Sequence, residues 1–202
     1  MLPARFIPEI EKSELIGELG RWVLEEVIDG LSKQRDPLPV NVNVSPRQLE
    51  DKAFASTVLA LLDTYQVGGE LLAIEITELI NLEDFAPFAD QLHILRSRGV
   101  GVAVDDFGTG YSALSYLQRF PFDQVKIDGI FIDNVDTSPT DRSIVRSIID
   151  LTTSLGAQPI AEKVERTGQV ETLIDLGCPY GQGFLLGTPA DLPEHRPGDL
   201  PT

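Results

Sequence analysis

The sequence predicts an α/β fold in which short parallel strands alternate with helices at the spacing of a (β/α) barrel. Three observations carry this expectation. Six short segments read as strands along the 202 residues. Each delivers, at its carboxyl end, a polar residue suited to metal binding or catalysis. Helical patterns fill the gaps, and successive segments stand about 20 to 36 residues apart, which is the room taken by a strand, a helix and two short loops.

Along the chain, Ser13 is placed to cap a helix running to about Leu31, with Leu15, Leu19, Val23 and Val27 on one face and Trp22 assigned to packing. Pro39 to Val42 forms the first strand and leads to Asn43 and Ser45. A helix over Phe54 to Gln66 stops at Gly68-Gly69. The strand Leu71 to Ile74 leads to Glu75 and Glu78, and a helix from Leu82 to Arg98 ends at Gly99, with Pro87 marking either a kink or its true start. Val100 to Val104 is the third strand. Gln124 and Val125 lead through Lys126 and Ile127 to Asp128, and a helix over Thr140 to Leu155 ends at Gly156. Pro159 to Ala161 leads to Glu162 and Glu165, and Pro179 to Gly181, poor in strand formers, delivers Gln182-Gly183. The last dozen residues, from Asp191, carry three prolines and little to bury, so the domain is expected over residues 1–190 with a tail over 191–202.

The third strand carries the strongest chemical signal. Val100 to Val104 is apolar, contains β-branched residues and reads as buried on both faces; Asp105-Asp106-Phe107-Gly108-Thr109-Gly110 follows it directly. Two adjacent carboxylates at the carboxyl end of such a strand face the ligand crevice of an α/β protein, where burying them without a cation is costly. Alone, the segment also fits an Asp-capped turn into a helix. The five other strand ends shift the balance toward a site.

Charge and composition exclude several classes. A formal net charge of -16 opposes nonspecific binding to a nucleic-acid polymer or an anionic membrane surface. The single cysteine, Cys178, rules out an intrachain disulfide framework, and two histidines, one in a helical segment and one in the tail, offer neither a zinc site nor a Ser/His triad. Any catalytic metal is therefore expected on oxygen ligands, which favours Mg²⁺ or Mn²⁺. With no signal peptide and no apolar run long enough to span a bilayer, the chain is expected to be cytoplasmic, without membrane insertion.

Six motifs, in order, carry a resemblance: Asn41-Val-Asn-Val-Ser45-Pro-Arg-Gln-Leu49, Glu75-Ile-Thr-Glu78, Asp105-Asp-Phe-Gly-Thr-Gly-Tyr-Ser112, Lys126-Ile-Asp128, Ala161-Glu-Lys-Val-Glu165 and Gln182-Gly-Phe184. From about Leu2 to Pro189 the chain resembles the EAL domain family of bacterial proteins, which hydrolyse the second messenger cyclic di-GMP. The resemblance implies a modified TIM (β/α) barrel with two metal ions, Mg²⁺ or Mn²⁺, at its mouth. It implies metal ligation by Asn43, Glu75, Asp105, Asp106 and Glu162, a lysine near the attacking water at Lys126, and a glutamine positioning that water at Gln182. Glu78 falls where a glutamate anchors the loop after the aspartate pair. Asp128 and Glu165 look like support for the same site, and Ser45 and Phe184 like substrate contacts. The chemistry is consistent with the resemblance: two cations about 4 Å apart acidify a water and neutralise a phosphodiester that otherwise repels hydroxide. A homodimer, or sensory and GGDEF-type domains on a longer chain, is the further implication.

Departures from the pattern matter equally. Lys163 stands where a glycine is usual, and Phe184 and Gly187 where Tyr and Ser are frequent. The two strands expected before the first unit, including the one bearing Glu-Ala-Leu, have no counterpart; about six of eight strands are present, too few for a barrel to close by itself. A late start assignment, a fragment of a longer signalling protein and a decayed remnant all fit. Two functions follow as expectations: a metal-dependent phosphodiesterase, impaired if the chain is complete as written, and a catalytically silent cyclic di-GMP receptor or regulatory module.

Overall fold

A computed structural model describes residues 6–11, 13–77, 86–108 and 122–190. They divide into two compact units, the first holding residues 6–76 and 86–101 and the second Thr77 and residues 102–190. Glu78, Thr109 to Ser112 and the tail from Asp191 lie outside the described residues.

The first unit contains a short helix α1 (Ile7–Ile10), then α2 (Leu15–Ser32), β1 (Val40–Asn43), α3 (Pro46–Leu49), α4 (Phe54–Tyr65), β2 (Leu72–Thr77, whose last residue belongs to the second unit) and α5 (Ala86–Ser97). Strands β1 and β2 pair in parallel with Asn43 opposite Glu75. Five of the six residues of β2 are buried, as expected of a parallel strand covered on both faces. The long helix α2 packs on α4, and α4 on α5.

The buried face of α2 differs from the expected one. It is Ile16, Gly20, Leu24, Ile28 and Leu31, whereas Leu15 is 56% and Trp22 58% exposed. The reason lies at Gly20. A Cβ there would stand 1.8 Å from the carboxamide nitrogen of Gln48, so the helix approaches α3 on its glycine side and turns the Leu15 side outward. Trp22 is therefore not core. Helix α4 ends one residue before Gln66, which itself takes the left-handed conformation (φ 56°) that stops a helix.

The second unit contains β3 (Gly101–Phe107, whose first residue belongs to the first unit), β4 (Gln124–Ile127), α6 (Gly129–Ile132), α7 (Pro139–Ser154), β5 (Gln158–Ala161), α8 (Thr167–Asp175) and β6 (Tyr180–Gly181). Its four strands pair in parallel in chain order. Ser138 caps α7 by accepting the Asp141 N–H, and α7 packs its Val145, Ile148 and Ile149 side toward β4 and β5. All six expected strands are present. Among the described residues no helix is long and apolar enough to cross a membrane.

Candidate functional site

In the second unit the strand ends converge. Consecutive residues of a strand point to opposite faces, so Asp105 and Asp106 would normally diverge. Here β3 has one extra residue relative to β4 between Val104 and Phe107, and Asp106 adopts φ 53°. This is a β-bulge whose extra residue sits in the left-handed region that Asp tolerates better than most residues. The bulge turns both carboxylates to one side, where oxygens of Asp105, Asp106 and Glu162 lie within 4.8 Å of one another.

Lys126, at the end of β4, is only 5% exposed, so it is no surface salt bridge. Its Nζ lies 2.6 Å from Glu162 Oε1 and 3.2 Å from Asp105 Oδ1. The second contact is close but off the hydrogen-bond direction, and Asp105 Oδ1 stays buried without a hydrogen-bond partner. Gln182, following β6, donates from Nε2 to Glu162 Oε1 at 2.7 Å. Asp128 caps α6 by accepting the Ile130 N–H at 2.7 Å and is also hydrogen-bonded to Asp106. Gly108, at φ 99°, follows the pair; a Cβ there would meet the Phe131 ring at 2.7 Å, so only glycine fits.

Of the four neighbouring carboxyls, Asp105 and Glu162 face the one ammonium. Burial, the hydrogen bond to Asp128 and the charge of Asp105 push the Asp106 carboxyl up from 3.8 to about 6. Burial also raises Glu162, outweighing the opposing pull of Lys126. The donors are all oxygen, their charge is under-compensated, and Asp105 keeps a buried oxygen without a hydrogen bond; a hard divalent cation fits such a set.

A pH dependence follows. Folded protein retains the Asp106 proton up to about pH 6, whereas the unfolded chain loses it near the ordinary 3.8. Metal-free stability is therefore expected to fall as pH rises through that window. Urea midpoints at pH 4.5 and 6.5 measure this; Asp106→Asn should flatten the decline, and an unchanged slope would remove Asp106 as its source.

In the first unit, Asn43, exposed, and Glu75, 3% exposed, pair across β1 and β2. Asn41, two residues before Asn43 and on the same face, donates to Glu75 Oε2 at 3.3 Å. Asn41 was not anticipated as a site residue; the period-two spacing Asn41-Asn43 was the available signal. Ser45 caps α3, its hydroxyl oxygen accepting the Arg47 N–H while its own N–H goes to Gln48, which leaves the hydroxyl hydrogen to donate elsewhere. Phe184 is 67% exposed. Glu165 is exposed and takes part through its backbone N–H, not its carboxylate, among the described residues. Lys163 is exposed, its backbone is left-handed (φ 52°), as suits a position where glycine is usual, and its stem covers Gly129.

The EAL domain profile matches residues 1–189. The chain belongs to the EAL domain family. It is 35% identical over 195 residues to the cyclic di-GMP phosphodiesterase PA2567 of Pseudomonas aeruginosa, covering 95% of this chain and 33% of that protein. Among solved structures, the EAL enzyme Bd1971 in a form bound to cAMP and cyclic di-GMP matches with a TM-score of 0.89 and 30% identity, over 95% of this chain and 54% of that one. BlrP1 of Klebsiella pneumoniae, in a manganese and cyclic di-GMP complex, matches with a TM-score of 0.77 and 27% identity, over 84% of this chain and 44% of that one. The chain spans about a quarter to a third of the length of the curated relatives it matches. The EAL membership and these structural likenesses establish the expected fold class, a modified TIM barrel, with six parallel-type strands among the described residues.

Proposed function

We propose that this EAL chain hydrolyses cyclic di-GMP to linear pGpG with the help of Mg²⁺ or Mn²⁺. The observation that carries the reading is the oxygen cluster of Asp105, Asp106 and Glu162 with buried Lys126 against it. It is supported by the cyclic di-GMP phosphodiesterase PA2567 and by BlrP1, solved with manganese and cyclic di-GMP. Asp105, Asp106 and Glu162 would hold the divalent cation, and Asn43 and Glu75 are proposed as metal ligands on the first unit. When bound, the metal supplies neutralisation of the phosphodiester and acidification of a water.

The chain's own residues do the rest. Lys126 and Gln182 converge on one oxygen of Glu162, so both are held where they can orient the attacking water, and Lys126 is the group placed to handle its proton. The water oxygen bonds to phosphorus, one phosphodiester P–O bond breaks, and the proton ends on the departing ribose oxygen. Asp128 keeps Asp106 turned inward. Ser45 offers its hydroxyl hydrogen to the substrate and the exposed Phe184 ring a stacking face for a guanine. Glu78, outside the described residues, keeps the loop-anchoring role that the resemblance implies. The homodimer and the accompanying signalling domains expected from the resemblance belong to the same proposal, the second supported by the greater length of the relatives.

The test is chromatographic detection of pGpG from cyclic di-GMP with the purified chain in Mn²⁺, with Glu75→Ala alongside and ligand binding followed in Ca²⁺. Product that is lost in the variant is expected. Binding without product would replace the enzyme by a receptor.

A further inference from the structure

Gln169 is fully buried, at 0% exposure, and both ends of its carboxamide are engaged. Its Oε1 accepts the N–H of Glu165 at 2.8 Å and of Arg166 at 2.9 Å. Its Nε2 donates to the carbonyl of Ile132 at 3.0 Å. The acceptor half is ordinary for the third residue of a helix, which often reaches back to free N–H groups at the helix start. A solvent-exposed glutamate would serve that purpose. The donor half is different: it ties the stretch from Glu162 to Arg166 to the carbonyls of Ile132 and Asp133 at the end of α6, and an amide accepts at one end and donates at the other without burying a charge.

The tie lies between two parts of the cluster. Helix α6 is capped by Asp128, whose carboxyl holds Asp106. The stretch tied to the other end of α6 begins at Glu162. Its remaining backbone is pinned as well, with the Glu162 N–H on Ile127 and the Val164 N–H on Gln182. In between, left-handed Lys163 lays its stem on Gly129, the first residue of α6. The separation of Glu162 from the Asp106–Asp128 pair is thus set by a closed ring of contacts, and Gln169 is its one buried side-chain amide.

We infer that Gln169 is a positioning residue for the divalent-cation site, holding Glu162 at ligand distance from Asp105 and Asp106 through the end of α6. The inference rests on the metal-dependent reading above. Removing a partner that orients a ligand typically weakens metal binding 10- to 100-fold. Gln169→Met, of similar length but without hydrogen bonds, is therefore expected to bind Mn²⁺ at least about tenfold more weakly than the unaltered chain by calorimetric titration. A capping role alone would lower stability and spare the metal. Glu171→Gly, on the exposed side of α8, supplies that comparison: it weakens the helix and should bind Mn²⁺ as the unaltered chain does, with urea midpoints recording both losses of stability.

Mn²⁺ affinity of Gln169→Met within twofold of the unaltered chain overturns the inference, as does an equal loss in Glu171→Gly. Should Gln169→Met fail to fold, Gln169→Glu at pH 7.5 is read the same way, since an ionised glutamate keeps both acceptor bonds and loses the donor bonds to the Ile132 and Asp133 carbonyls. An unaltered chain that binds no Mn²⁺ overturns the metal-dependent reading and this inference with it. Binding by the unaltered chain with no loss in either Gln169 variant overturns this inference alone.

Discussion

Asp105→Asn is expected to lower cyclic di-GMP turnover about a thousandfold, the scale on which losing one electrostatic contact to a reacting centre is felt, while the metal-free fold stays intact. Asp105 occupies the position of greatest leverage in the cluster. Its Oδ1 is buried, lacks a hydrogen bond, and stands 3.2 Å from Lys126, so a cation is the partner it is arranged to meet. Asparagine preserves shape and removes charge. Because the Asp105 charge is one of the causes raising Asp106, the same change relieves repulsion, and the metal-free urea midpoint should hold or rise. A variant that loses turnover with no loss of stability separates a ligand from a scaffold residue. Turnover within tenfold of the unaltered chain would remove Asp105 from the proposed ligand set.

The strand ends were legible because parallel strands buried on both faces leave little to write at their carboxyl ends except function. Asp105 and Glu162 each follow a short apolar run at a strand's carboxyl end, and Lys126 lies in the short strand β4 after Gln124 and Val125. What was not legible is how adjacent Asp105 and Asp106 reach one side of β3. Alternation along a strand argues against it, and the bulge that permits it depends on a register against β4 that no local window encodes.

Helix α2 failed for a related reason. Leu15, Leu19, Val23 and Val27 form a plausible apolar stripe, yet the buried stripe contains Gly20, a residue with no hydropathy signal of its own; Gln48, 28 positions on, fills the space beside it. The single-turn helices α3 and α6 are too short to show a period, and their caps, Ser45 and Asp128, carry no helix signal beyond the polar residue itself. Asn41 was missed because its partner Glu75 is 34 residues away. Gln169 could be read as a helix-start residue, while its second bond, to a carbonyl 37 positions earlier, exists only in the fold.

Lys126→Met should produce two effects of opposite sign on the cation and the reaction. Lys126 is the sole ammonium among the described residues within ion-pair reach of Asp105 and Glu162, and its side chain is 6% exposed against 15% and 9% for theirs. Methionine keeps most of the buried length and removes the charge, leaving two carboxylates uncompensated; breaking a buried pair in this way typically costs about 3 to 5 kcal/mol. The lower part of that range applies here, since Asp105 retains some exposure. In metal-free protein the loss appears directly as a reduced urea midpoint. With Mn²⁺ present it should shrink, because the cation supplies the compensation that the ammonium gave, and Mn²⁺ should bind more tightly than to the unaltered chain. Turnover moves the other way: if the Lys126 ammonium orients the attacking water or gives a proton to the departing ribose oxygen, its removal lowers the rate by about 10² to 10⁴. Tighter metal binding combined with slower hydrolysis is not what a counter-ion alone would give. If turnover survives while Mn²⁺ affinity rises, Lys126 is only a charge placeholder for the cluster; if Mn²⁺ binds more weakly, the ammonium instead holds Glu162 in place as a ligand.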